Sequence, residues 1–251
     1  MIMLFLEENM ARNIYVIGDI HGDYGIFDAK FGDRLLSSSS PKEDILFVAG
    51  DAGFINSYEN EKSKSQRIEH LNSLPFIIIV VLGNHENYDI IESFNVVELF
   101  KGKCYKEEGV DVYYAQNGQI FDIEGTKIFT FNGGLSIDKE KRLEYEKEYG
   151  IKFWWPQEIK TEDFPIAFHN YFTHQVDFII THDVPKDVYF KLISFIPGRF
   201  KSQTCPLQDF LQRIYSIPKF KHWYAGHYHP SYPVTLDKIT VLPIGYVEKI
   251  K

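Results

Sequence analysis

Asn13-Ile14-Tyr15-Val16-Ile17-Gly18-Asp19-Ile20-His21-Gly22 is the segment from which the rest of the chain becomes readable. Its first half is a short apolar run, rich in β-branched residues and closed by glycine, which predicts a buried strand. Its second half sets a carboxylate and an imidazole two residues apart between glycines. Glycine lets the backbone turn there without steric cost, so both side chains can be directed at one ion. On its own, Asp19 is equally well a turn residue. The layout nevertheless recurs down the chain. Ile45-Leu46-Phe47-Val48-Ala49 delivers Gly50-Asp51, and Phe76 to Leu82 delivers Gly83-Asn84-His85-Glu86. Phe178-Ile179-Ile180 delivers Thr181-His182-Asp183, and His222-Trp223-Tyr224-Ala225 delivers Gly226-His227-Tyr228-His229.

Between these strands, Tyr24 to Leu36 and Ser63 to Leu74 read as helices, with Ser37 to Pro41 as a loop. Strand and helix therefore alternate in the βαβ rhythm of a parallel or mixed sheet. Phe76 to Leu82 is apolar without alternation, which predicts burial on both faces. The second half has a different texture. Asp111 to Tyr114, Gln119 to Ile123 and Lys127 to Phe131 read as three strands of a meander, joined by Asn117-Gly118 and Glu124-Gly125 turns. Asp138 to Tyr149 reads as a charged helix, Thr161 as the opening of another, and Pro206 to Tyr215 as a third with proline in its first turn. Two strands, near Val234 and over Ile239 to Leu242, close the chain. With no internal repeat and no clean boundary, residues 1–251 are expected to form a single domain, with a site-flanking insertion around 133–176.

The 251 residues are 44% hydrophobic and 25% charged, enough for a well-buried core. With 21 Phe and 16 Tyr, aromatic packing should dominate that core. A net charge of −8 argues against a nucleic-acid polymer, whose binding rests on a broad basic surface. It leaves room for a small phosphate ester neutralised by bound dications. Cys104 and Cys205 lack CxxC spacing and read as free thiols of a reducing compartment, with one disulfide as the alternative. The apolar run Met1 to Leu6 is too short for a signal-peptide core and lacks a basic flank, and Met10 is an alternative start. No stretch approaches the ~20 apolar residues of a membrane span. A cytoplasmic protein is expected.

Five strand ends thus deliver Asp19, His21, Asp51, Asn84, His85, His182, His227 and His229, which hold five of the nine histidines. Ligands of open α/β sheets gather outside the carboxyl ends of the strands, so these side chains should converge. Carboxylate, amide oxygen and imidazole together suit Mn²⁺, Fe²⁺ or Zn²⁺ better than Ca²⁺ or Mg²⁺. Seven ligand-type groups exceed the needs of one open four-coordinate ion and match two ions sharing a carboxylate. Two such dications about 3.5–4 Å apart activate a shared water and clamp the charge of an in-line displacement.

The ordered set Gly18-Asp19-x-His21-Gly22, Gly50-Asp51, Gly83-Asn84-His85-Glu86, His182 and Gly226-His227-x-His229 resembles the five motifs of the calcineurin-like metallophosphoesterases. That resemblance implies a four-layer αββα sandwich of mixed sheets and a dinuclear metal centre, with Mn²⁺ foremost and Fe, Zn or Ni as alternatives. It implies Asp19, His21 and His229 at the first metal, Asn84, His182 and His227 at the second, and Asp51 as the bridge. His85 would protonate the leaving oxygen, as an imidazole titrating near neutrality can. One departure matters. Members that are Ser/Thr protein phosphatases carry an Asp-Arg pair after the bridging Asp, where this chain has Ala52-Gly53-Phe54-Ile55. The resemblance is instead to compact bacterial and phage members, whose middle segment is similar to Gly133 to Asp138, Arg142-Leu143-Glu144 and Trp154 to Glu158. That segment is expected beside the metals, with Arg142 or Lys139 touching the phosphate. The expectation is a phosphomonoester or phosphodiester hydrolase acting on a small substrate; the alternative is a degenerate member used as a metal-binding scaffold.

Overall fold

The computed structural model describes residues 12–37, 42–55, 59–196 and 204–251. The apolar run Met1 to Leu6, Met10 and Ser38 to Pro41 of the expected loop lie outside the described residues, whereas Ser37 ends α1. Along the chain come β1 (Ile14–Ile17), α1 (Gly25–Ser37), β2 (Asp44–Ala49), α2 (Glu61–Ser73), β3 (Phe76–Val81) and α3 (Tyr88–Ile91). Next are β4 (Asn95–Leu99), β5 (Gly102–Lys106), β6 (Val112–Ala115), β7 (Gln119–Ile123), β8 (Thr126–Phe131) and α4 (Lys139–Tyr149). The remainder is α5 (Phe164–Thr173), β9 (Phe178–Thr181), α6 (Lys186–Phe195), α7 (Pro206–Tyr215), β10 (His222–Ala225), β11 (Val234–Leu236), β12 (Ile239–Val241) and β13 (Val247–Lys249).

The strands form two mixed sheets, ordered β13-β1-β2-β3-β6-β5-β4 and β11-β12-β10-β9-β8-β7. Within the first, β1, β2, β3 and β6 run parallel; within the second, β8, β9, β10 and β12 do. Alternation along β2 explains the layering. Ile45 and Phe47 face the second sheet and pack with Phe121, Ile128, Ile180 and Tyr224. Leu46 and Val48 face outward onto Phe27 and Phe31 of α1 and Leu71 of α2. The outer face of the second sheet, Phe129, Ile179, Trp223 and Ile239, is covered by Tyr171 of α5, Leu192 of α6 and Phe210 and Ile214 of α7. Helix, sheet, sheet and helix are therefore stacked, as expected, and the parallel strands are buried on both faces. Cys104 lies in the inter-sheet core and Cys205 in the outer core of the second sheet, both buried and both free.

The expected meander does not form. β6 belongs to the first sheet, whereas β7 and β8 belong to the second, so Asn117-Gly118 is a crossing between sheets. Asn132, just past β8, holds that crossing: its amide oxygen accepts from Leu82 N (2.9 Å) and its amide nitrogen donates to Ala115 O (2.7 Å). Glu124-Gly125 is the true hairpin turn, with φ of 50° and 82°. Five elements are additional to those expected: α3, the two strands of the β4–β5 hairpin, α6, and β13, which pairs antiparallel with β1.

Candidate metal centre

The carboxyl ends of β1, β2, β3, β9 and β10 open on one rim, and the loops that leave them carry the expected ligands. Asp19 Oδ2 lies 2.7 Å from His229 Nε2 and 3.6 Å from His21 Nε2, and the two imidazole nitrogens are 3.1 Å apart. Deeper in the rim, His182 Nε2 is 3.0 Å from Asn84 Oδ1 and 3.3 Å from Asp51 Oδ2. Asp51 Oδ2 is also 4.0 Å from His21 Nε2, so this carboxylate stands between the two groups. The His227 ring packs on the His182 ring with centroids 4.7 Å apart. His85 sits at the same mouth, its ring edge-on to His21 at 5.5 Å.

Why the chain folds this way is visible in the glycines that precede the ligands. A Cβ on Gly83 would stand 2.1 Å from Asp51 Oδ1, and one on Gly226 would stand 2.2 Å from Asp19 Oδ1. Each of these loops is therefore shaped to admit a ligand from another loop. Backbone amides then fix the carboxylates: His85 N donates to Asp51 Oδ1 (2.8 Å) and His227 N to Asp19 Oδ1 (3.0 Å). Buried Glu86 accepts from Ala52 N (2.7 Å) and holds the turn after Asp51. His21, Asp51, His227 and His229 all adopt positive φ, between 44° and 72°. Such backbone costs about 1–3 kcal/mol per non-glycine residue and persists where surrounding contacts impose it.

The donor set fits divalent ions. Ligands cis to each other on an ion with bonds of about 2.1 Å lie about 3 Å apart, the spacing of His182 to Asn84 and of His21 to His229. His182 Nδ1 donates to Ala49 O (2.8 Å), so its tautomer leaves Nε2 free to ligate. Asn84 donates from Nδ2 to Ser136 Oγ (3.1 Å), which turns its amide oxygen toward His182. Burial alone would raise the Asp51 carboxyl, but the imidazoles around it, His182 first, hold it well below the usual range. Burial would lower His182, yet the carboxylates of Asp51 and Asp19 raise it to about 10. Enclosure of the His227 ring, with the His182 charge beside it, brings that imidazole down to about 3. Ligation requires neutral imidazole, so a cation held here would take the place of the His182 proton.

A cavity of about 250 Å³ opens over these groups, lined by Asp51, Asn84, His85, Ile137, Asp138, His227, Tyr228 and His229. Arg142 and Lys139, expected at the phosphate, are engaged elsewhere. Arg142 Nη1 donates to Asn84 O (3.0 Å) and Ser136 Oγ (2.7 Å), and Lys139 Nζ rests 3.7 Å from the Trp154 ring centroid. Trp155 is part of the core beneath α2 and α3. Desolvation at the cavity wall, with the Arg142 charge adding to it, lowers the pKa of His85 against the opposing pull of Asp51 and Asp138. The part played by Ser136 and Glu158 was not legible: both stood in the quoted middle segment, but nothing there marks a serine or glutamate that turns inward.

A family model of calcineurin-like phosphoesterases matches residues 12–231. The chain belongs to that family, and with it to the metal-dependent enzymes that hydrolyse phosphoesters. Among solved structures, phosphopantetheinyl hydrolase from Mycobacterium tuberculosis is similar at 14% identity, covering 93% of this chain and 88% of that one with a TM-score of 0.44. No curated protein matches the chain. Among the described residues no helix is long and apolar enough to cross a membrane.

Proposed function

We propose that this chain is a two-metal hydrolase of small phosphomonoesters or phosphodiesters, with Mn²⁺ as the foremost metal and the cytoplasm as its compartment. Asp19, His21 and His229 would hold one dication, Asn84, His182 and His227 the other, and Asp51 both. What carries this is the placement of Asp51, within 3.3 Å of His182 on one side and 4.0 Å of His21 on the other. Bound there, two dications would supply Lewis acidity toward the phosphoryl oxygens and an activated nucleophile.

The chain's own residues do the rest. Asn84 adds a ligand without adding negative charge, which keeps the centre electropositive toward a phosphate. His85 is next to a ligand yet faces solvent at the mouth, so it can donate a proton to the departing ester oxygen. Ile137 and Tyr228 give the cavity an apolar side, and its volume, about 250 Å³, suits a phosphoryl group with a compact ester. Residues 133–176 belong in this proposal to the same domain, as the piece that walls the cavity.

Mn²⁺-dependent cleavage of p-nitrophenyl phosphate or bis-p-nitrophenyl phosphate by the pure protein is the expected result. His85→Ala should lower turnover roughly 10²–10⁴-fold with metal content unchanged. A protein that takes up Mn²⁺ and cleaves neither ester, nor nucleotides nor phosphopeptides, would instead be a scaffold.

A further inference from the structure

Three separated pieces of the middle segment meet behind Asn84, and the hydroxyl of Ser136 joins them. Ser136 Oγ donates to Glu158 Oε2 at 2.5 Å, and Ser136 N donates to Glu158 Oε1 at 3.2 Å. The same oxygen accepts from Arg142 Nη1 at 2.7 Å and from Asn84 Nδ2 at 3.1 Å. Arg142 Nη1 also donates to the backbone carbonyl of Asn84 at 3.0 Å. Ser136, Arg142 and Glu158 are all buried, at 5%, 7% and 3% exposure.

A serine hydroxyl has one proton to give and two lone pairs to offer. Here the proton goes to a carboxylate, which can only accept, and both lone pairs are taken by N–H donors. Asn84 can therefore meet Ser136 with its NH₂ group alone. Rotated by half a turn, the amide would bring its oxygen against lone pairs, leave a buried acceptor unsatisfied and present N–H donors to the cation. An unmade buried hydrogen bond costs about 1–3 kcal/mol, more beside charge. Arg142 adds a second hold on the same residue, through the main chain. The guanidinium and the Glu158 carboxylate also offset each other, so the clamp brings no net charge to the centre.

We propose that Ser136, Arg142 and Glu158 are positioning residues that lock the amide oxygen of Asn84 toward the second metal. This rests on the two-metal reading above, and it assigns Arg142 to a ligand where sequence reasoning had placed it at the phosphate. The side chains behind metal ligands typically contribute a 10–100-fold change in affinity, roughly the range expected here.

The test is Mn²⁺ titration of the full chain, metal-stripped beforehand, by calorimetry with elemental analysis. Wild type should bind two equivalents. Ser136→Ala should keep one at wild-type affinity and bind the other roughly 10–100-fold more weakly. Ser136→Thr, which restores the hydroxyl, should recover it. In an Asn84→Ala background, Ser136→Ala should have no further effect, because the amide it orients is gone. A merely structural serine would weaken binding equally with and without Asn84, and that outcome overturns the proposal, as does unchanged binding in Ser136→Ala. Arg142→Met carries the same cycle should Ser136→Ala not fold, judged by thermal melting of the metal-free protein. If wild type binds fewer than two equivalents, the two-metal reading and the clamp fall together; if it binds two and the variants follow it, the clamp falls alone.

Discussion

The two sides of the metal centre are built differently. The imidazoles of His21 and His229 are 31% and 29% exposed, and their loops reach the Asp19 carboxylate from the rim. His182, by contrast, has no exposed surface, bonds to Ala49 O across the sheets, and faces an asparagine gripped by Ser136 and Arg142. Side chains that meet solvent can move to release or admit an ion. Those sealed in a hydrogen-bonded interior keep their arrangement whether or not one is bound. The comparison teaches that an open and a preorganised set of side chains can meet at one carboxylate, with Asp51 reaching His182 on one side and His21 on the other, and Asp19 close to both sets.

Removing that shared group should have the largest effect. Asp51→Ala is expected to lose both cations and to lower hydrolysis by more than the roughly 10–100-fold typical of residues behind ligands. Elemental analysis alongside p-nitrophenyl phosphate turnover checks it; retention of one cation at wild-type affinity would mean that the sides are independent. Stability of the metal-free protein should then separate them. His182→Ala leaves Asp51 buried without its partner and should cost about 3–5 kcal/mol in denaturant unfolding. His229→Ala removes an imidazole that is 29% exposed and lets water reach the Asp19 carboxylate, so it should cost less than His182→Ala. Equal losses would erase the contrast. The smallest effect is one of timing. Under chelation the cation on the His21–His229 side should leave before the other, so release of two equivalents is expected in two phases, and a single phase would show one cooperative unit.

The ligand loops were legible because one device, strand then glycine then ligand, repeats at four of the five, and His182 follows a strand in the same way with Thr181 in the glycine's place. The burial of the parallel strands on both faces followed from apolar runs too long and unbroken to face water, whereas the four-layer stacking was implied by the family resemblance. What escaped the sequence depends on contacts made at a distance. The β4–β5 turn places Phe100 and Lys101 at φ of 49° and 67°, where turn chemistry would predict glycine or asparagine. It is held from outside: Phe100 O accepts from Asp122 N (2.8 Å), and Lys101 pairs with the Asp122 carboxylate (2.7 Å). α6 begins after Pro185 with no side-chain cap, so the usual start signal is missing. On α4 the cations alternate with acids, and nothing in that pattern says that Arg142 is buried while Lys139 and Lys141 remain exposed.

The pairing of β13 with β1 sets an order in time. Tyr15 to Ile17 lie in register with Lys249 to Val247, Gly18 N donates to Tyr246 O (3.0 Å), and Gly245 N donates to Asp19 O (2.9 Å). The Asp19 loop is thus seated by residues translated long after it. A nascent chain can build much of its first sheet early, but it cannot finish the Asp19 loop until Lys249 has cleared the exit tunnel. The Asp19 loop is accordingly completed only after β13 has been made.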